Sequence, residues 1–217
     1  LLASIVAAAA LCAGAGKAVA YVQTNLVSDI SGLAAITDPE LINPWGVSES
    51  ATSPFWVSNQ GTNTSTLYTV TNNTSVSKVP INGTGIVSIP TTGAGPQGPT
   101  AQVNNMNMSS FAVGNGGNGG SAHFIFANLN GTISAWDTGP TAFIQVTTPG
   151  AVYTGLAINH AQTQLYAAND AGTGSVDVFN SAFVRQSLPS GAFTDPNLPS
   201  GYVPFNVQDI NGKVYVT

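Results

Sequence analysis

Three asparagines recur in one local setting. Asn59, Asn128 and Asn169 each close an apolar run ("FWVSN", "HFIFAN", "LYAAN"), and each is followed by a Gly-Thr pair, at Gly61-Thr62, Gly131-Thr132 and Gly172-Thr173. Amide oxygens are hard ligands, and three converging on one point could hold a cation such as Ca2+. An asparagine at the end of a strand also satisfies the backbone of a tight turn, and Asn and Gly supply the positive φ that hairpins require. A motif that recurs together with its turn favours this structural role, and the sequence otherwise asks for no cofactor.

The carboxylates offer a second candidate. "TDPELINPWGV", with Asp38 and Glu40, is echoed in "TDPNLPSGYVPFNV", with Asp195; both run Thr-Asp-Pro, a spacer, then Pro, an aromatic residue and a strand-like start. Asp38, Glu40 and Asp195 are the acids that could bind a ligand, and paired-carboxylate catalysis would need two of them facing each other across a cleft. The alternative is a connector, with proline fixing φ and aspartate capping the turn. Asp170 and Asp177 flank "AGTGSV" without the alternation of an EF-hand loop. His123 and His160, the two histidines, lack zinc-site spacing. No nucleophile elbow occurs, and "GNGGNGG" lacks the Lys-Ser/Thr of a phosphate loop. Asn-x-Ser/Thr at Asn63, Asn72, Asn73, Asn82, Asn107 and Asn130 reads as turn chemistry, or as glycan acceptors in a eukaryotic source.

Composition narrows the classes. The four basic residues, Lys17, Lys78, Arg185 and Lys213, are scattered and the net charge is −5, so no basic patch exists to neutralise nucleic-acid phosphates. With only 6% charged residues, solubility rests on Asn, Thr, Ser and Gln, while 43% hydrophobic content argues for a folded core rather than disorder. Residues 1–20, apolar and ending in Ala18-Val19-Ala20, read as a signal peptide truncated at its N-terminus, with a mature domain over 21–217. Its apolar run stops short of the roughly 20 residues a membrane span needs. The single cysteine, Cys12, would leave with the signal, so a bacterial secreted, periplasmic or cell-surface location is expected.

The elements that must position these residues come from a repeat. "WGVSES…FWVSN…STLYTV", "TAQVNN…HFIFAN…TISAWD", "GLAINH…LYAAN…SVDVF" and "FNVQDI…KVYVT" align, with Gly46, Ala101, Gly155 and Asn206 equivalent and spaced by 55, 54 and 51 residues. Each unit reads strand, turn, strand, turn, strand, and "IVSIP", "AFIQVTT" and "AFVRQSL" supply outer fourth strands. Four short strands at a period near fifty are the mark of a β-propeller blade, which buries its faces only against neighbouring blades. The expectation is an all-β propeller of four-stranded blades, with about three and a half blades present, in a chain that reads as a fragment.

"TDPELINPWGVS", "FWVSNQGTNTSTLY", "GLAINHAQTQLYAAN" and "GAFTDPNLPSGYVPFNVQDINGKVYVT" together resemble an uncharacterised family of secreted, mainly bacterial, six-bladed propeller proteins akin to NHL and YVTN repeat proteins. The resemblance covers about Asn25 to Thr217, with the middle, Thr71 to Ser121, poorly matched. It implies export and six blades, and it carries over no reaction and no catalytic residue. The function expected is a binding or scaffold module that recognises an extracellular or envelope ligand, a glycan or protein, at the channel mouth. The alternatives are a lactonase-like hydrolase or lyase with a channel metal, and a surface structural protein.

Overall fold

A computed structural model describes residues 22–93 and 97–217; the signal peptide expected over residues 1–20 lies outside them. After a short parallel pair, β1 (Val27–Ser28) and β2 (Ile36–Thr37), the chain makes four successive antiparallel sheets. Blade I is β3 (Pro44–Ser48), β4 (Phe55–Asn59) and β5 (Thr64–Thr71), with β5 paired on its outer side by both β6 (Ser75–Lys78) and β7 (Ile86–Ser88). Blade II is β8 (Ala101–Asn104), β9 (Phe124–Ala127), β10 (Thr132–Trp136) and β11 (Phe143–Thr147). Blade III is β12 (Tyr153–Ile158), β13 (Gln164–Asn169) and β14 (Ser175–Asn180). Blade IV is the hairpin β15 (Val207–Ile210) and β16 (Lys213–Val216). Among the described residues the one helical element is a 3-10 turn, Ile81–Gly83. The molecule is a partial β-propeller.

Two strand expectations need correction. "IVSIP" does supply an outer strand, β7, but it shares β5 with the unforeseen β6. Asn72 and Asn73, at φ 52° and 58°, open the three-residue turn, closed by Thr74, between β5 and β6. "SVSK" carries one half-buried apolar residue, Val76, so its alternation left no signal to read. In blade III, "AFVRQSL" forms no full strand. It makes a single bridge, Phe179 to Arg185, closed by Gln186 N–H to the Val178 carbonyl at 2.7 Å and Asn180 N–H to the Val184 carbonyl at 3.0 Å.

Three apolar cores lie between the blades. Trp56, Leu67, Val87, Phe124 and Phe126 fill the first, between I and II. Phe111, Ile125, Ile133, Tyr153, Leu165 and Phe179 fill the second, between II and III. Ala157, Ala168 and Val207, with Tyr166, Val214 and Val216 against them, make the third, between III and IV. Strand alternation delivers them: on β4, Trp56 turns into the first core while Phe55 and Val57 face the other way, into a groove of about 860 Å³ with residues 23–28 along one wall.

Nearest the axis the blades meet backbone to backbone. A Cβ placed on Gly46 would lie 3.0 Å from Ala101 Cα and Gln102 N. One placed on Gly155 would lie 2.7 Å from Asn206 Cα and 3.0 Å from Val207 N. These are the repeat-equivalent positions, each opposed to its counterpart in the next blade. Polar side chains fasten the same seams. Thr100 Oγ1 donates to the Tyr153 carbonyl at 2.7 Å and Thr154 Oγ1, its repeat equivalent, to the Phe205 carbonyl at 2.6 Å. Gln102 reaches back to blade I, donating to the Gly46 carbonyl at 3.0 Å and to that of Trp56.

Gly155→Val therefore drives two methyl groups into the backbone of blade IV. The expected loss is about 1–3 kcal/mol of unfolding free energy, read as a lowered urea midpoint. A Val variant as stable as the parent would show that the inner strands can separate freely.

Candidate functional site

The four inner strands, β3, β8, β12 and β15, are each the terminal strand of their sheet. Their free edges face a common cavity of about 1330 Å³. An unpaired strand edge presents a row of backbone N–H and C=O groups, so the wall is polar even where the side chains are small. At one end stand Trp45 and Phe205, the residues that precede Gly46 and Asn206 in the repeat, from blades I and IV. Their ring centroids are 6.0 Å apart at an interplanar angle of 40°. Toward the other end are Glu49, Asn104, Gln162 and Asp209. Gln162 Oε1 accepts the Met106 N–H at 2.6 Å, tying the turn after β8 to the β12–β13 turn. Among the described residues the lining contains two carboxylates and no Lys, Arg or His. Such a wall disfavours anions and admits neutral or cationic ligands.

The acids singled out by the TDP echo do not line this cavity. Asp38 is buried, with its side chain 2% exposed. Its Oδ1 accepts the Glu40 N–H at 3.0 Å, and Oδ2 accepts the Tyr68 hydroxyl at 2.6 Å and Lys78 Nζ at 2.8 Å. Burial works against the charged carboxylate, but Lys78, Tyr68 and the Glu40 N–H together outweigh it and hold Asp38 below the usual carboxylate range. Burial, and then the Asp38 carboxylate, pushes the Tyr68 hydroxyl upward. Asp195 is exposed and caps the Asn197 N–H at 2.9 Å, the same turn that Asp38 makes with Glu40. The backbone carbonyl of Glu40 receives the Thr62 hydroxyl at 2.9 Å. The echo is thus connector chemistry. Its aromatic members, Trp45 and Phe205, are the ones that reach the cavity. The repeated Pro-aromatic pair in "NPWGV" and "VPFNV" was the available signal.

The three asparagines each work within one blade. Asn59 Nδ2 donates to Thr64 Oγ1 and Thr66 Oγ1 at 3.1 and 3.0 Å. Asn128 Nδ2 donates to Thr132 Oγ1 at 2.9 Å. Asn169 Oδ1 accepts the N–H groups of Val152 and Ala171 at 3.0 and 3.1 Å. The Oδ1 atoms of Asn59 and Asn128 are buried and unbonded, the kind of atom an ion would use. Yet Asn128 Oδ1 is packed so closely on Gly98 that a Cβ there would fall 2.6 Å away. With Asn169 Oδ1 already accepting two N–H groups, the three do not offer the free amide oxygens of a shared Ca2+ centre. Among the described residues no group of three or more His, Cys, Asp or Glu side chains could hold a metal ion.

Asp177 repeats the Asp38 arrangement in blade III. It accepts the Tyr153 hydroxyl at 2.9 Å and Ser175 Oγ at 3.1 Å, and pairs with Arg185. His123 is half-buried with its ring centroid 6.2 Å from that of Trp136. It borders a cleft of about 490 Å³ that also holds Trp56 and Phe124, stacked at 4.0 Å. His160 is exposed in the β12–β13 turn. No helix among the described residues is long and apolar enough to cross a membrane.

No family model and no curated protein matches the chain. Among solved structures it is similar to virginiamycin B lyase from Staphylococcus aureus, a propeller-fold protein. The selenomethionine-substituted form matches with a TM-score of 0.51 and 12% identity, over 80% of this chain and 48% of the other. A catalytically inactive variant of that lyase with quinupristin matches with a TM-score of 0.53 and 13% identity, over 83% and 50%. The likeness is one of fold, and the chain spans about half the length of these structures.

Because Asp38 sits below its ordinary pKa in the folded state, its contribution is complete above its unfolded pKa, about 3.9, and is lost as pH falls through the folded value. Asp38→Asn should cost about 1.5–3 kcal/mol near neutral pH. The gap between variant and parent should narrow as the pH is taken below about 4. Urea titrations across that range check it; a gap that does not depend on pH contradicts the ion-pair account.

Proposed function

We propose that this chain belongs to an exported propeller of six blades, to which it contributes blades I to IV, and that the propeller is a binding module for a neutral, saccharide-like ligand taken into the axial cavity. The repeat period and the resemblance to secreted six-bladed proteins support the ring. One observation carries the binding role. The cavity joins an aromatic pair, Trp45 and Phe205, to amide side chains, Asn104 and Gln162, and free strand edges, with no cationic group in the lining among the described residues. Rings that stack on an apolar sugar face, beside amides that hydrogen-bond hydroxyls, suit a neutral glycan. The absence of a cation from the lining argues against phosphorylated, sulfated or carboxylated ligands.

A lyase or hydrolase is the second reading. The propeller likeness to virginiamycin B lyase and the placement of Glu49 and Asp209 in the cavity favour it. General acid–base work would fall to those two carboxylates, and not to Asp38, whose oxygens are already bonded.

Glycan-array screening followed by calorimetry separates the two readings. The binding module should retain neutral oligosaccharides in preference to sulfated ones, and Trp45→Ala should weaken binding by about tenfold, some 1.4 kcal/mol. Failure to bind any neutral saccharide, or full affinity in the Trp45 variant, overturns it. Loss of intact quinupristin on incubation, followed by mass spectrometry and abolished by Glu49→Gln or Asp209→Asn, would establish the lyase reading instead.

A further inference from the structure

The chain contains two methionines, Met106 and Met108, both in the turn "NNMNMSS" after β8 and both exposed, 59% and 60%. The turn around them is rigid. Asn105 is buried and its Nδ2 donates to the Asn107, Ser110 and Ala122 carbonyls at 3.2, 3.4 and 2.9 Å. Asn107 Oδ1 caps the Ser109 N–H at 3.0 Å, and Ser110 N–H closes the turn on the Asn107 carbonyl at 3.1 Å. The alternation buries the asparagine and leaves two thioethers, two residues apart, outside.

The neighbouring blade supplies a third donor. Asn107 Nδ2 reaches the carbonyls of Ala161 and Gln162, each at 3.4 Å, and Gln162 Oε1 takes the Met106 N–H at 2.6 Å. These bonds lock the Met turn of blade II to the β12–β13 turn of blade III. That turn carries His160, exposed and one residue before Ala161. The turn is itself fixed, with Asn159 Oδ1 accepting the Thr163 and Gln164 N–H groups at 2.7 and 3.0 Å.

We infer that the interlocked turns form a binding site for a soft monovalent cation, Cu(I), through the Met106 and Met108 thioethers and the His160 imidazole. Thioether sulfur and imidazole are the donor set that selects Cu(I) over hard cations. The unbranched methionine side chain, with three rotatable bonds, lets sulfur swing to a third donor without moving the backbone. Neither turn contains a Lys or Arg to repel the ion. The hydrogen bonds between the turns preorganise the donors, so that binding need not order a loop. Met106 also lines the axial cavity, but Met108 and His160 lie outside its lining and the proposal uses no aromatic of the cavity, so Cu(I) uptake and saccharide binding are read, and can fail, separately.

The test is an anaerobic titration of the whole chain with Cu(I) against a chromophoric chelator, with Ag(I) and Zn2+ in parallel. One Cu(I) per chain should be taken from the chelator, Ag(I) should compete, and Zn2+ should not. Met108→Leu and His160→Gln should each weaken Cu(I) by about tenfold or more, with unchanged circular dichroism. X-ray absorption should show sulfur scatterers, absent from a Met106→Leu/Met108→Leu double variant. If the parent takes no Cu(I) from the chelator, or if the double variant binds as the parent does, the site does not exist.

Discussion

Inner strands of adjacent blades approach so closely that the residue between them can carry almost no side chain. Gly46 lies against Ala101, and Gly155 against Asn206 and Val207, at distances where a Cβ would meet backbone. One strand out, the space between sheets is wide enough for Trp56, Phe124 and Phe126, or for Ile125, Leu165 and Phe179. Small residues inside and larger side chains outside, aromatic in the first two cores, make these interfaces wedges. Successive wedges turn the sheets about an axis, and the axis is why four strand edges share one cavity.

The scarcity of charge shapes the rest. Lys78 and Arg185 are each paired with a buried aspartate that also holds a tyrosine hydroxyl, Asp38 with Tyr68 and Asp177 with Tyr153. A buried carboxylate without such partners would carry a large desolvation penalty. Both cations are thereby spent on the blades, and the cavity is left with Glu49, Asp209 and uncharged groups. The ligand preference proposed for the cavity and the stability of the blades thus trace back to the same few charges.

Much of the architecture was legible because blade geometry writes itself into spacing. The period near fifty, the closing asparagines and the turn glycines Gly131 and Gly172, at φ 73° and 64°, follow from local backbone requirements. Strand β6 and the missing fourth strand of blade III were not legible. The first has a single apolar residue, and the second has the right alternation but forms only one bridge. Pairing along an outer edge depends on what the next segment offers, which no local pattern records. The candidate site was half legible. The TDP echo lies in the connectors, where Asp38 turns inward to cap and pair and Asp195 caps an exposed turn, while the aromatics beside them face the axis.

The sequence by itself determined the repeat, the all-β class, the hairpins that join the first three strands of a blade and the lack of any basic cluster, since each of these depends on residue type and on neighbours within a few positions. Only the tertiary structure decided which residues meet. Trp45 and Phe205, far apart in the chain, share one end of a cavity; Asp38 is consumed by Lys78; and the turns that carry Met106, Met108 and His160, from different blades, are bonded to each other. The reason is geometric. A propeller stacks its units about an axis, so proximity at the axis and at the turn tips is set by the angle between blades, and that angle comes from packing summed over whole interfaces.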